Sequence, residues 1–162
     1  MDGDEVVGKK LENMGKVIQI YTAPKRGAPM ESQARVTALT NVGLVGDRYE
    51  TSANRRSVDD QLTLIEMENI EAYIKEVDGA FTSAMPRRNI VTHGLALNNL
   101  CGKIFRVGGV TCEGIELCEP CSLFASRTRR EVLIFFLHRG GLRARIVEGG
   151  KIQIGDEVSV VA

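Results

Sequence analysis

Short runs of β-branched and other apolar residues, separated by glycines, dominate the pattern of hydrophobic positions along the chain. Apolar residues on alternate positions, such as Ile152 and Ile154, are typical of strands that turn one face to a core. The turn dipeptides Gly149-Gly150 and Gly155-Asp156 separate the last three runs, which we interpret as a meander that closes the sheet. The pattern predicts strands at Lys16–Tyr21, Ala34–Val42, Gln61–Ile65, Lys103–Val107, Val110–Leu117, Leu142–Val147, Lys151–Ile154 and Glu157–Val161.

Two segments show the spacing of a helix instead. Apolar residues at intervals of three and four predict a helix over Glu66–Val77, with acidic residues near its start, where the helix dipole favours them. A second predicted helix, Arg129–His138, carries apolar residues on more than one face and is stopped by Gly140-Gly141. Short strands, unevenly spaced by helices and glycine turns, do not give the regular βαβ alternation of a parallel sheet. We therefore predict a mainly β fold: a closed or partly closed barrel, mixed and largely antiparallel, with two or three short helices.

The length and charge of the chain narrow the classes of protein that it can belong to. Its 162 residues suit one domain, so we expect a frayed N-terminal segment at 1–13 and a single β-barrel domain at 14–162. The 21 Lys and Arg balance the 21 Asp and Glu, so no net positive field would gather nucleic acid or acidic lipid. No apolar run reaches the ~18 to 20 residues of a membrane-spanning helix, and the acidic start does not resemble a signal peptide. We expect a cytoplasmic protein with no nucleic-acid or membrane partner, and the sequence leaves the oligomeric state open.

The cysteines are the first candidates for chemistry. Cys118 and Cys121 have the two-residue spacing of a redox dithiol, but a mostly β chain does not supply the βαβ frame of that class. A zinc site is disfavoured because no second ligand pair has matching spacing, and we interpret Cys101 and Cys112 as small core residues. Cys121 differs because it follows Pro120 at the predicted end of a strand. A thiolate there can face a cleft, bind a soft metal or carry sulfur.

Two further segments combine charged and polar side chains. Arg87 can grip a phosphate with two parallel hydrogen bonds, while Asn89 and Thr92 can fix heterocycle edges or the local backbone. A glycine-spaced loop carries Asp47 and Arg48, which can line a pocket or form an internal salt bridge. The alternative for the first segment is a solvated charge pair before an ordinary strand. Nucleotide-binding glycine motifs, a zinc-protease motif and a nucleophile elbow are all missing from the sequence.

Taken in order along the chain, these pieces resemble the MOSC domain, the family named for the C-terminal domain of molybdenum cofactor sulfurases. The resemblance spans most of the chain and depends on Gly46-Asp47-Arg48, Gln61-Leu62-Thr63-Leu64-Ile65, Arg87-Arg88-Asn89-Ile90-Val91 followed by Gly94, Gly102 through Gly108, Pro120-Cys121, and Gly141 through Gly155-Asp156. It implies a β-barrel related to the barrel domain of pyruvate kinase and a pocket for the molybdenum-pterin cofactor. Tyr49 departs from the pattern, since many relatives carry His there.

The resemblance also implies roles for individual residues. In cofactor-bearing members of the family the matching cysteine is a metal ligand, which implies that role, and a catalytic one, for Cys121. In the mitochondrial amidoxime-reducing component the corresponding run begins Arg-Pro-Asn-Ile-Val, which implies that Arg87 and Asn89 surround the pterin phosphate. The other expected cofactor-binding residues are Thr92, Asp47 and Arg48.

The function implied by the resemblance is binding of the molybdenum cofactor (molybdopterin) and, with an external electron donor, reduction of N-hydroxylated compounds. One alternative is a non-catalytic carrier or chaperone that holds the cofactor, or sulfur as a Cys121 persulfide. A second alternative is a barrel that binds another phosphate-bearing small molecule, such as pyridoxal phosphate. The sequence contains no aminotransferase-like desulfurase domain, so we expect a sulfurase or cofactor-biosynthesis partner, or an electron-donor protein.

Overall fold

The computed structural model describes residues 14–51, 55–77, 80–120 and 131–161. The predicted frayed segment 1–13 and Cys121 lie outside the described residues. The described strands are β1 (Met14–Thr22), β2 (Glu31–Gln33), β3 (Arg35–Leu39), β4 (Gly43–Leu44), β5 (Leu62–Glu66), β6 (Ile90–His93), β7 (Ile104–Val107), β8 (Val110–Leu117), β9 (Leu142–Glu148), β10 (Gly150–Gln153) and β11 (Glu157–Val160). The described α-helices are α1 (Met67–Glu76) and α2 (Glu131–Phe135).

Seven of the described strands form a closed ring in the order β1, β11, β7, β8, β9, β5, β6. The ring closes because β1 pairs with both β6 and β11. In this ring only β5 and β6 run parallel, and the other neighbours are antiparallel. Strand β2 extends from β1 beside the ring, and β3, β4 and β10 form a second sheet. The predicted fold, a mixed and largely antiparallel barrel, is confirmed.

The last three strands do not form the predicted meander. Strand β9 pairs with β5 and β8, β11 pairs with β1 and β7, and β10 leaves the ring to pair with β3. Gly149 permits this departure, since a Cβ there would lie 2.4 Å from the carbonyl oxygen of Ala38 on β3. The chain crosses at this close approach into the second sheet, where Ile152 pairs with Val36. The meander interpretation was wrong because alternation identifies the buried face of a strand and not its hydrogen-bonding neighbour.

Both faces of β5 and β6 are largely buried, which explains their nearly continuous apolar runs. Leu64 and Ile90 belong to the core inside the barrel, whereas Ile65 and Val91 belong to a second apolar cluster outside it. That outer cluster also contains Phe136, which follows α2, and residues of α1. The helices therefore cover one flank of the barrel. Strand β7, which is not part of this flank, shows simple alternation of exposed and buried residues.

The two helices differ in how well the sequence predicted them. Helix α1 agrees with the predicted Glu66–Val77 to within one residue at each end. Helix α2 ends at Phe135, so it is shorter than the predicted Arg129–His138, of which 129–130 lie outside the described residues. After α2 the chain continues as turns, and His138 adopts a left-handed φ of 60° that ends the helical path before the glycine pair. None of the helices in the described part of the chain is long and apolar enough to cross a membrane.

Candidate functional site

Five strands bring their ends to one edge of the barrel, and a cavity of about 340 Å³ lies there. The starts of β5 and β6 lie side by side because these strands are parallel, and the end of β1 joins them because β1 is antiparallel to β6. The end of β8 meets the start of β9 at Leu117 and Leu142. The segments that follow or precede these strand ends line the cavity. Its volume lies within the range of small-molecule sites.

Arginines dominate the lining of this cavity. Three carboxylates also line it, but each is paired: Asp60 and Glu116 with Arg143, and Glu119 with His138. The cavity therefore has an excess of positive charge and is suited to an anion. The arginines in its wall are Arg26, Arg48, Arg56, Arg87, Arg88 and Arg143.

Three of the residues predicted for the site, Asp47, Arg48 and Arg87, are brought together. The Arg48 guanidinium donates to the Asp47 carboxylate at 3.1 Å and to the Arg87 carbonyl oxygen at 3.0 Å. Asp47 lies behind the wall and also accepts from the Ala23 backbone N–H at 3.0 Å. The Arg87 guanidinium donates to the Ala28 carbonyl oxygen at 2.7 Å. Asp47, Arg48 and Arg87 thus fasten the segment after β1 over the cavity.

Asn89 and Thr92 are fully buried and lie outside the cavity lining. The Asn89 amide oxygen accepts from the Thr63 backbone N–H and from the Thr63 hydroxyl, both at 3.1 Å. Its amide nitrogen donates to the Tyr21 carbonyl oxygen at 3.1 Å. The Thr92 hydroxyl donates to the Ile65 carbonyl oxygen. In this structure both side chains hold neighbouring strands, and Asn89 does so next to the arginines of the cavity wall.

Arg88 fixes the end of β8 against the cavity. Its guanidinium donates to the carbonyl oxygens of Gly140, Glu119 and Cys118 at 2.8, 3.3 and 3.5 Å. The Cys118 N–H donates to the Gly141 carbonyl oxygen at 2.8 Å. A Cβ on Gly140 would lie 2.1 Å from the Cys118 carbonyl oxygen, so only glycine allows this packing. The glycine pair therefore shapes the cavity wall, in addition to following the second helix.

Arg143 was not singled out by sequence reasoning, yet it is part of the charged wall. It forms a salt bridge to Asp60 and a second, at 3.4 Å, to Glu116. Burial lowers the pKa of the Arg143 guanidinium, but the neighbouring Cys118, Asp60 and Tyr49 outweigh burial and leave that pKa above its ordinary value. Arg143 consequently stays charged in this wall at every physiological pH.

The cysteines fall into different environments. Cys121, the predicted metal ligand, lies outside the described residues, but Cys118 and Glu119, just before it in sequence, line the cavity. Burial raises the pKa of the Cys112 thiol to about 12, which makes that thiol unreactive, as expected for a core residue. Cys101 is only partly buried and packs against the barrel core. The part of the chain that the structure describes holds no cluster of three His, Cys, Asp or Glu residues able to bind a metal ion.

Sequence reasoning also missed Arg26, Arg56, Asp60, Glu116 and Cys118 as cavity residues. Arg143 shows why the signal was weak. It lies on the outer face of β9, since its neighbours Leu142 and Ala144 belong to the core. Arg145 follows the same alternation and pairs with Glu113 across the sheet, so the two arginines look alike in sequence.

Comparisons with known proteins agree with this architecture. The YUAD protein from Bacillus subtilis has a similar structure, with a TM-score of 0.74 and 15% identity over 91% of this chain and 95% of that protein. YiiM from Geobacillus stearothermophilus gives 0.72 and 16%, over 91% and 75% of the two chains. YiiM from Escherichia coli gives 0.69 and 19%, over 91% and 70%. At these identities the solved structures show the shared fold alone.

The sequence itself places the chain in a family. No curated protein matches it by sequence. The family model of the MOSC domain, however, matches residues 45–159, which is more than half of the chain. This range includes strands on both sides of the cavity, the segment from Arg87 to Thr92, and Cys121. The protein therefore belongs to the MOSC domain family, which is associated with the molybdenum cofactor.

Proposed function

We propose that the arginine-lined cavity binds the molybdenum cofactor and that the protein, with an external electron donor, reduces N-hydroxylated compounds. The observation that carries the proposal is that, in a MOSC-family chain, six arginines line one cavity together with Cys118 and Glu119, the residues that lead to Cys121. The MOSC family is associated with this cofactor, and the cavity offers what its phosphate group requires.

The residues of the cavity fit an anionic cofactor. Asp60 and Glu116 form ion pairs with Arg143, and Glu119 bonds to His138, so six arginines outnumber three already bonded carboxylates in the wall. Guanidinium groups bind phosphate oxygens through paired, charge-assisted hydrogen bonds. In this proposal Arg48 and Arg87 form the wall that faces the cofactor, while Asp47 and Asn89 hold that wall in place. Thr92 holds β6 to β5 farther from the cavity.

Cys121 is the metal ligand in this proposal. A thiolate is a soft ligand and suits a metal that is already bound through sulfur. Cys121 comes two residues after Glu119, which lines the cavity. The Cys121 thiolate would therefore reach the metal from the end of β8. Arg88 holds the backbone of Cys118 and Glu119, and we infer that it positions the start of this segment.

When bound, the cofactor would supply two-electron oxygen transfer from the substrate. The chain's own contribution would be to orient the cofactor through its arginines and to shield the reacting side with the segment after β1. That segment includes Gly27, which lines the cavity, and Ala28, whose carbonyl oxygen accepts from Arg87. Electrons would come from a partner protein of the cytoplasm, the compartment that we propose for the chain.

The test is the metal and pterin content of protein made in a host that synthesises the cofactor. We expect about one molybdenum and one pterin per chain, measured by elemental analysis and by pterin fluorescence after release. Cys121→Ser should lose the metal while the protein stays folded, because a hydroxyl is a poor ligand for a soft site. Cys101→Ser is the matched control, since Cys101 packs on the core away from the cavity, and it should retain the metal.

Activity then separates the enzyme from the carrier. With an artificial electron donor, the loaded protein should reduce hydroxylaminopurine, and Cys121→Ser should not. Loaded protein that shows no turnover would favour a carrier of the cofactor, or of sulfur on Cys121, over an enzyme. Protein that carries neither molybdenum nor pterin would contradict cofactor binding itself, leaving another phosphate-bearing molecule such as pyridoxal phosphate as the ligand.

A further inference from the structure

Four of the six arginines in the cavity donate their hydrogen bonds to the protein itself. Their acceptors are carboxylate or backbone carbonyl oxygens of the surrounding segments. A guanidinium that is committed in this way shapes the wall and contributes charge, but it has fewer N–H groups left for a ligand. These four are Arg48, Arg87, Arg88 and Arg143.

Arg26 and Arg56 are different. Both line the cavity and both are exposed, so they lie at its mouth. The side chain of neither one makes a hydrogen bond or an ion pair with any residue that the structure describes. They come from separate segments, Arg26 after β1 and Arg56 before β5, and all N–H groups of their guanidinium groups remain available to a ligand.

The backbone beneath each of these side chains is nevertheless fixed. The Asp60 carboxylate accepts from the Arg56 and Ser57 backbone N–H groups, at 2.8 and 3.3 Å, and its other oxygen takes the salt bridge from Arg143. In the segment after β1, the Ala28 carbonyl oxygen, two residues after Arg26, is held by Arg87 at 2.7 Å. Each free guanidinium therefore extends from an anchored segment, which reduces the entropy that is lost when it grips a ligand.

We propose that Arg26 and Arg56 form a clamp that closes on a phosphate monoester dianion at the mouth of the cavity. Two guanidinium groups can offer paired hydrogen bonds to three phosphate oxygens, and a dianion gains more from them than a monoanion does. The identity of the phosphate as that of the molybdenum-pterin cofactor rests on the proposed function. The clamp itself would act on any phosphate monoester that fits the cavity, and it determines which ligands the cavity takes.

The test uses phenyl phosphate as the probe and isothermal titration calorimetry as the measurement. Arg26→Gln combined with Arg56→Gln should weaken binding by at least about tenfold, the loss expected for charge-assisted hydrogen bonds. Lys103→Gln combined with Lys151→Gln is the matched control, because it removes the same charge from two exposed positions outside the cavity. The control should change binding by less than about twofold at 0.15 M salt, where distant charges are screened. Thermal unfolding checks that all variants are folded.

Three results would overturn the clamp. The first is unchanged affinity in the Arg26 and Arg56 double variant. The second is an equal loss in the lysine control, which would assign the effect to net charge. The third is no binding of phenyl phosphate to the wild type up to about 10 mM, an affinity too weak for a clamp.

The clamp and the proposed function can fail separately. Wild-type protein made in a cofactor-producing host could contain neither molybdenum nor pterin and still bind phenyl phosphate through Arg26 and Arg56. That result would contradict the proposed function and support the clamp. The opposite result is also possible to observe: the wild type and the Arg26→Gln, Arg56→Gln variant both retain one cofactor per chain and bind phenyl phosphate equally well. That result would contradict the clamp and support the proposed function.

Discussion

The barrel core and the cavity at its edge are built from adjacent residues of the same strands. On β9, Leu142 and Ala144 belong to the core, whereas Arg143 between them joins the cavity wall. On β5, Leu62 and Leu64 are core residues, and Thr63 between them bonds to Asn89. Because successive side chains of a strand leave opposite faces, one segment serves both regions.

The two regions are held together by different forces. The core is a continuous apolar cluster whose stability comes from burial and close packing. The cavity wall is held by hydrogen bonds from charged or amide side chains to backbone atoms, as with Arg88 on three carbonyl oxygens. A core substitution should therefore change stability and leave ligand selectivity intact, whereas most wall substitutions should change both.

The largest expected effect is in the core. Phe105 is fully buried inside the barrel, and Phe105→Ala should lower the free energy of unfolding by about 3 to 5 kcal/mol, through lost burial and a remaining cavity. Ile104→Ala is the control on the same strand, since Ile104 is 36% exposed, and it should cost under about 1 kcal/mol. Urea unfolding measures both. Similar losses in the two variants would contradict the assignment of β7 faces.

The next effect concerns Asn89, which lies between the two regions. Asn89→Ala leaves the Thr63 N–H and the Tyr21 carbonyl oxygen buried without this partner, so it should cost about 2 to 3 kcal/mol of unfolding free energy. Asn99→Ala, at an exposed position, should be near neutral. If Asn89→Ala instead kept full stability and lost only the ligand, Asn89 would contact the ligand directly.

Thiol labelling of the native protein sharpens the comparison further. Cys112 lies in the core, with its pKa raised to about 12 by burial, so it should label only when the protein unfolds. Cys118 lines the cavity but is only 3% exposed, so we expect Cys121 to label first and Cys112 last. Peptide mapping after partial reaction identifies the labelled sites. Early labelling of Cys112 would show that the core is more open than described.

The smallest expected effect is a pH dependence at Glu66, at the end of β5 opposite the cavity. Burial raises the pKa of Glu66 above its ordinary 4.5, although a hydrogen bond from the Leu97 N–H lowers it. The folded state therefore binds the proton more tightly than the unfolded state, and stability falls as pH rises from 4.5 through the raised value. Glu66→Gln should remove this decline in unfolding experiments, and phosphate binding should not change. A decline of the same size in the variant would assign the pH dependence to another group.

The fold could be predicted from sequence because its signals are local. Alternation predicted β8 at the bounds observed, Val110–Leu117, and three- and four-residue spacing predicted α1 within one residue. Strands β2 and β4 were missed because three and two residues are too short for a period to be read. The pairing of β10 with β3 was missed because partners distant in sequence leave no local pattern.

The candidate site could be predicted only in part for the same reason. Arg48 and Arg87 were singled out from their motifs, and both line the cavity. Arg143 and Arg145 alternate identically along β9, and only the position of Asp60 beside the start of β5 gives Arg143 its place in the wall. Such a distinction depends on a contact between residues 83 positions apart, which the sequence pattern does not contain.

The most direct measurement is a crystal structure of the cofactor-loaded protein, with anomalous diffraction used to locate molybdenum. We expect one anomalous peak per chain, within coordination distance of the Cys121 sulfur. We also expect phosphate density between Arg26 and Arg56 at the mouth of the cavity. A molybdenum peak elsewhere on the barrel, with the arginine-lined cavity holding only solvent, would contradict it.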